Sequence, residues 1–348
     1  MIVLLDAKKQ ATHFCLMDKE HIVEQGFEPE LSRLKERLCQ WHQEHDIEKV
    51  GYRVMNGGMS IDRTVMERTI ALAAHIGEDP CLGFNSDSIM KELVEFCAKR
   101  FVSSRHFMIC DSAFFLSMPR HSRLYAIPFE YSESGIIRYG RQGMVHEWAA
   151  KTLAGKGVMA AKTIHIVLND SADVVALKDG KPVMISQGFS SVDGMMSKTG
   201  CGAIDTSIVF QLFADGVSAE DIEQILAEES GFKALTGSVQ GFSSLVVKDD
   251  LKSCVAKEMF AYHLLKTIGA YAAILDGVDA LVFIGNNAEG VRDWVCTFIE
   301  QLEFLGLKKK RITADDTVLT SGSSSIGAYY LNAGTWSLMS QALPASAI

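Results

Sequence analysis

The stretch Ser186–Ser207, SQGFSSVDGMMSKTGCGAIDTS, most constrains what this chain can become. It follows two short apolar runs, Thr163–Leu168 and Asp173–Leu177, and an Asp179-Gly180 turn. A helix-like pattern at Ile208, Val209, Leu212 and Phe213 comes after it. A Gly/Ser/Asp-rich loop between a hairpin and a helix is where a two-lobed α/β protein commonly presents backbone to a ligand. The chain's 348 residues suffice for two such domains and a large core.

Composition narrows the function classes. A net charge of −9 argues against nucleic acid as a partner, since phosphate-backbone binding needs a basic footprint. No apolar run reaches transmembrane length, and no basic segment followed by an apolar stretch opens the chain, so a cytoplasmic location and no membrane partner are expected. Eight cysteines are scattered without a C-x-x-C pair, which reads as reduced core thiols rather than a disulfide framework or a metal site. No Walker A loop or G-x-G-x-x-G is present.

In chain order, Ile2–Leu5, His13–Met17 and Ile22–Glu24 read as three short strands. Pro29–Asp46 reads as an amphipathic helix on Leu31, Leu34, Leu38 and Trp41. Its His42 and His45 have no further ligand nearby, so a solvated face is the expectation. Lys49–Val54 is a strand, Arg63–Ala74 and Ser88–Arg100 are helices, and another strand ends at Asp111. Beyond a linker near Gly155–Gly157 come the strand Ile164–Leu168, a helix capped by Ser218, the long helix Cys254–Leu275 and the strand Ala280–Ile284.

Taken together these segments resemble the acetokinase family, the acetate and butyrate kinases, over nearly the whole chain. The opening loop keeps the family frame at Gly188, Asp193, Gly194, Thr199, Gly202, Ile204 and Asp205. GYRVMNGG (Gly51–Gly58) matches G-H-R-V-V-H-G-G and places Arg53 on the arginine that grips the substrate carboxylate or phosphate, with Val54 and Met55 beside it. HFMICDSAFFLSMP (His106–Pro119) places Asp111 on the catalytic or magnesium-ordering aspartate. The resemblance implies an α/β fold of two actin-like (ribonuclease H-like) lobes, residues 1–155 and 156–348. Each lobe is a mixed sheet flanked by helices, with a central cleft faced by Arg53, Asp111 and Gly200. It implies ATP and Mg2+ as cofactors, with the nucleotide near Lys8, Lys9, Asn169, Asp170, Ser171, Gly285, Asn286 and Asn287. It also implies a homodimer built in part by Cys254–Leu275.

Several reactive groups of the family pattern are replaced. The arginine of the central loop falls on Gly200. The phosphate clamp N-A-G-S-S-S-L-K becomes Asp6-Ala7-Lys8-Lys9-Gln10-Ala11-Thr12-His13. There Lys8 and Lys9 either hold phosphate by charge alone or form a solvated polar turn. In G-I-R-R-Y-G-F-H-G-T-S-H, read here as GIIRYGRQGMVH, the histidine is Gln142. L-G-N-G-A-S becomes Leu168-Asn169-Asp170-Ser171-Ala172-Asp173, which sets two carboxylates where phosphates would lie, each like-charge contact costing on the order of 1 kcal/mol. The C-terminal glutamate implicated in magnesium binding is replaced within Thr320-Ser321-Gly322-Ser323. The expected function is an acetate kinase-like protein, impaired or inactive in phosphoryl transfer, that binds a small carboxylate, a nucleotide or a partner. The alternative is an active or divergent short-chain carboxylate kinase.

Overall fold

The computed structural model describes residues 1–7, 11–55, 65–67, 87–169, 172–190, 192–238, 241–285, 290–310 and 317–344. The chain forms two compact units. The first comprises Met1–Leu116, Ala126–Trp148 and Gly334–Ile348; the second comprises Ser117–Tyr125 and Ala149–Ala333.

In the first unit the strands are β1 (Ile2–Ala7), β2 (Thr12–Asp18), β3 (His21–Glu28), β4 (Lys49–Val54), β5 (Val65–Glu67) and β6 (Arg105–Cys110). They form one sheet in the order β3-β2-β1-β4-β6-β5. β1, β4 and β6 run parallel, and the other three are antiparallel to their neighbours. The parallel strands are apolar along most of their length because both faces are covered. Leu34, Leu38 and Trp41 from the helix Leu31–Glu44, with Leu93, Val94 and Cys97 from the helix Asp87–Arg100, close over Val3, Leu5, Val50 and Tyr52. The helix Thr335–Ala342 contacts β1 and β4.

One expectation is corrected here. Val65–Glu67 falls inside the helix read over Arg63–Ala74, yet it is a strand, paired antiparallel with Phe107–Ile109. The open edge of β6 and the two hydrogen bonds from Arg105 to Glu67, 2.8 and 2.9 Å, override a helical apolar spacing. The rest of that expected helix lies outside the described residues.

The second unit repeats the plan. Its strands β7 (Lys162–Leu168), β8 (Ala172–Lys178), β9 (Lys181–Ile185), β10 (Ala280–Gly285) and β11 (Gly327–Asn332) lie in the order β11-β10-β7-β8-β9. As in the first sheet, an antiparallel meander continues into parallel strands. Asp179 and Gly180, with φ of 53° and 74°, make the two-residue turn between β8 and β9. Phe232, Phe242, Phe260 and Trp294 form an aromatic core against the long helix Leu251–Ile274. That helix begins one turn earlier than its apolar period suggests, because Asp250 accepts the Ser253 N–H at 3.1 Å and caps it. Ser218 caps Ala219–Glu228 as expected, accepting from Asp221 N at 3.1 Å. No described helix is long and apolar enough to cross a membrane.

A partly buried polar pair ties β4 to β6. The Tyr52 hydroxyl lies 2.8 Å from His106 Nδ1, and His106 Nε2 lies 3.0 Å from the Phe101 carbonyl. A carbonyl can only accept, so Nε2 carries the proton and Nδ1 accepts from Tyr52. Burial lowers the His106 pKa below 6.5, with the Phe101 carbonyl opposing. The folded chain therefore binds this proton less readily than the unfolded one. Stability from this site is full above the ordinary histidine value and falls as the pH drops through the depressed one. Urea midpoints measured between pH 8 and pH 5 should decline on the acid side, and His106→Gln should flatten part of that decline.

Candidate functional site

The C-terminal ends of the three parallel strands in the first unit carry the charges. Register places Asp6 of β1 beside Arg53 of β4, and Asp111 immediately follows β6. Ligand sites of open α/β sheets gather at such strand ends. Arg53 Nε and Nη2 both donate to Asp111 Oδ2, at 3.0 and 2.7 Å, and Nη1 donates to Asp6 Oδ2 at 3.3 Å. The three side chains are 9%, 4% and 0% exposed for Arg53, Asp6 and Asp111. Burial alone would lower the Arg53 pKa, but the charges of Asp111 and Asp6 outweigh it and push the value up. The guanidinium is thus a permanent cation between two carboxylates.

Asp111 also anchors a helix. Its Oδ1 accepts the Met144 N–H at 3.3 Å, at the start of Gly143–Gly155, where the helix dipole favours a negative group. Val54 is buried in the core beneath the sheet, and the sulfur of half-buried Met55 lies 3.0 Å from Arg141 Nη2. Gln142 is buried in a left-handed conformation, φ 56°, just ahead of the helix. Arg53 and Asp111 are therefore brought together as the sequence proposes. Two further charges, Asp6 and Arg141, accompany this pair. Asp6 replaces the asparagine that opens the clamp pattern, and Arg141 replaces the phenylalanine of G-F-H-G. A residue-by-residue search for gained charges would have flagged both.

In the second unit the loop Ser186–Ser207 is held by its own surviving motif residues. Gly194 and Gly202 have φ of 101° and 73°, and a Cβ on Gly202 would lie 2.6 Å from Met196 N. Asp193 Oδ1 accepts from Gly194 N at 2.8 Å, Thr199 Oγ1 donates to the Ala227 carbonyl at 2.9 Å, and Asp205 Oδ1 accepts from Ser207 N at 2.8 Å. Tyr125 Oη accepts the Phe189 N–H at 2.7 Å. Gly200 sits in this frame with its N–H on Ser197 Oγ, 3.0 Å away, and offers no side chain.

The nucleotide and metal expectations meet these residues unevenly. Lys8, Lys9, Asp170, Ser171, Asn286 and Asn287 lie outside the described residues. Asn169 follows β7 and is half-buried. A Cβ on Gly285 would lie 2.5 Å from the Tyr330 hydroxyl, so the packing here admits glycine without a shift of that ring. Mg2+ takes carboxylate oxygens as ligands. Both oxygens of Asp111 already accept hydrogen bonds from Arg53 or Met144. Among the described residues no group of three or more His, Cys, Asp or Glu converges. Oδ1 of Asp111 keeps a second acceptor site, and Mg2+ is ordinarily held by one or two carboxylates with phosphates and water, so this aspartate is compatible with a magnesium ion.

The acetokinase family model matches residues 3–333. The acetate kinase of Carboxydothermus hydrogenoformans is 31% identical over 299 residues, covering 81% of this chain and 73% of that protein. The acetate kinase of Thermotoga maritima is 31% identical over 324 residues, covering 86% and 79%. A propionate kinase structure from Francisella tularensis superimposes with a TM-score of 0.85 at 22% identity over 98% of each chain. The acetate kinase structure from Porphyromonas gingivalis does so with a TM-score of 0.82, also at 22% identity and 98% coverage. These neighbours share the actin-like ATPase fold, two mixed sheets flanked by helices.

Removing the cation from between two buried carboxylates leaves uncompensated charge. Arg53→Met should cost about 3–5 kcal/mol of unfolding free energy, read from urea midpoints at pH 7. The double variant Arg53→Met/Asp111→Leu should recover part of that loss. A single variant as stable as the parent would mean that the three charges do not support the fold.

Proposed function

The chain belongs to the acetokinase family, and from that membership we propose an acetate kinase-like protein impaired or inactive in phosphoryl transfer from ATP to a small carboxylate. In this reading it acts as a ligand- or partner-binding pseudoenzyme. The observation that carries it is the commitment of Arg53. Three of its five N–H groups are engaged by Asp111 and Asp6, which leaves little of the fork for a substrate anion.

Phosphoryl transfer depends on positioning and on donors aimed at charge that develops in flight. The family implies ATP and Mg2+, and the metal would neutralise phosphate charge when bound. In this chain Arg53 and Asp111 hold each other, Asp111 fixes the start of the helix Gly143–Gly155, and Gln142 is a neutral amide where the pattern has a histidine. Gly200 offers no side chain at the arginine's place. The neutral residues at these two places remove donors that would stabilise a phosphoryl group. Lys8 and Lys9, with Arg141, are gained cations that could supply charge in their stead.

An acetyl-phosphate assay with acetate, propionate and butyrate tests the reading, run beside Lys8→Ala/Lys9→Ala. Turnover far below roughly 1 per second is expected. Turnover within the common range of about 1–1000 per second, abolished by the double variant, would overturn the pseudoenzyme in favour of a rebuilt kinase.

A homodimer belongs to the same proposal. The helix Leu251–Ile274 buries Phe260, Leu264 and Ile268 on one side and exposes Leu251, Val255, Met259 and Tyr262 on another. The helix Ser207–Ala214 buries no residue and exposes Ile208, Phe210 and Phe213. Apolar faces of this kind support association. Light scattering at micromolar concentration should give twice the chain mass, and Met259→Arg/Tyr262→Arg should halve it; a monomeric parent would remove the dimer.

A further inference from the structure

We propose that Asp6 is a specificity-determining residue: it occupies Arg53 as a built-in anion and keeps small carboxylates and phosphate off that guanidinium. The inference deepens the reading above and rests on it for the identity of the site. Asp6 and Arg53 are register partners on adjacent parallel strands, so their side chains leave the same face of the sheet. Asp111 takes the Nε and Nη2 side of the fork through one oxygen. The remaining planar pair of donors is Nη1 with Nη2, and Asp6 accepts from Nη1. Bidentate capture of a carboxylate or phosphate needs two parallel N–H groups. An incoming anion must therefore displace Asp6 or accept one bond beside a like charge.

Charge counting points the same way. Two carboxyl groups face one guanidinium, so an incoming anion competes with both for its donors. The side chains are 9% exposed or less, and water screens their field poorly. A small anion meets repulsion here even though an arginine stands at the centre. Replacing Asp6 by its isosteric amide keeps an oxygen for Nη1 but removes the competing charge. The guanidinium can then share its outer donors.

The experiment is isothermal titration of the full chain with acetate and with inorganic phosphate, at constant ionic strength and without nucleotide. The parent, Asp6→Asn and Asp6→Asn/Arg53→Gln are compared. Asp6→Asn should bind at least one of the two anions about tenfold tighter or better than the parent, and the Arg53 change should abolish the gain. Equal affinity in the parent and Asp6→Asn, no binding in either, or a gain that survives loss of Arg53 would overturn the proposal. Asp6→Ser serves as the second variant. If neither Asp6 variant folds, as judged by circular dichroism, Asp6 serves the fold rather than selectivity, and the proposal is also lost. Catalytic turnover by the parent would sink the pseudoenzyme reading without touching this result, because no nucleotide enters the titration.

Discussion

The Arg53 guanidinium, held between Asp111 and Asp6, is the interaction on which the first unit's functional end depends. It joins the ends of three parallel strands and, through Asp111, the start of the helix Gly143–Gly155. Removing three charges from water costs several kcal/mol each before any attraction is counted. Close, charge-assisted hydrogen bonds offset much of that cost, and the geometry is correspondingly strict. An arginine in this position is at once a structural clasp and the obvious anion receptor. The clasp role uses the donors that the receptor role would need.

The loop Ser186–Ser207 is held in shape by backbone and short polar side chains. Gly194 and Gly202 supply left-handed backbone, Asp193 and Asp205 accept nearby N–H groups, and Thr199 reaches across to Ala227. Each of these residues holds the loop's shape. Gly200 contributes only backbone to that shape. A frame held this way persists whether or not a phosphoryl group is ever transferred above it.

Much of the architecture was legible from the sequence because its signals are local. Ser218 announces a helix start, Asp179-Gly180 a hairpin turn, and Lys49–Val54 a strand whose bounds match the structure. Arg53 and Asp111 were legible through specific motif frames. Asp6 shows in the sequence as a gained charge, but its partner, 47 residues away, is brought alongside only by the β1–β4 register. The strand Val65–Glu67 was hidden for a related reason: three residues carry no period, and the edge of β6 decides their conformation. Gly327–Asn332 is similarly short and takes its state from pairing with β10.

The repeated strand order gives this molecule an internal control. Counting from the strand ends, the places of Asp6, Arg53 and Asp111 in the first sheet correspond to Val167, Ile284 and Ala333 in the second. Val167 and Ile284 are fully buried register partners, as apolar as the rest of their core. The same backbone plan is therefore built once with a charged triad and once with hydrocarbon. Strand ends of this plan can thus be closed by packed hydrocarbon in one unit and by a charged clasp in the other.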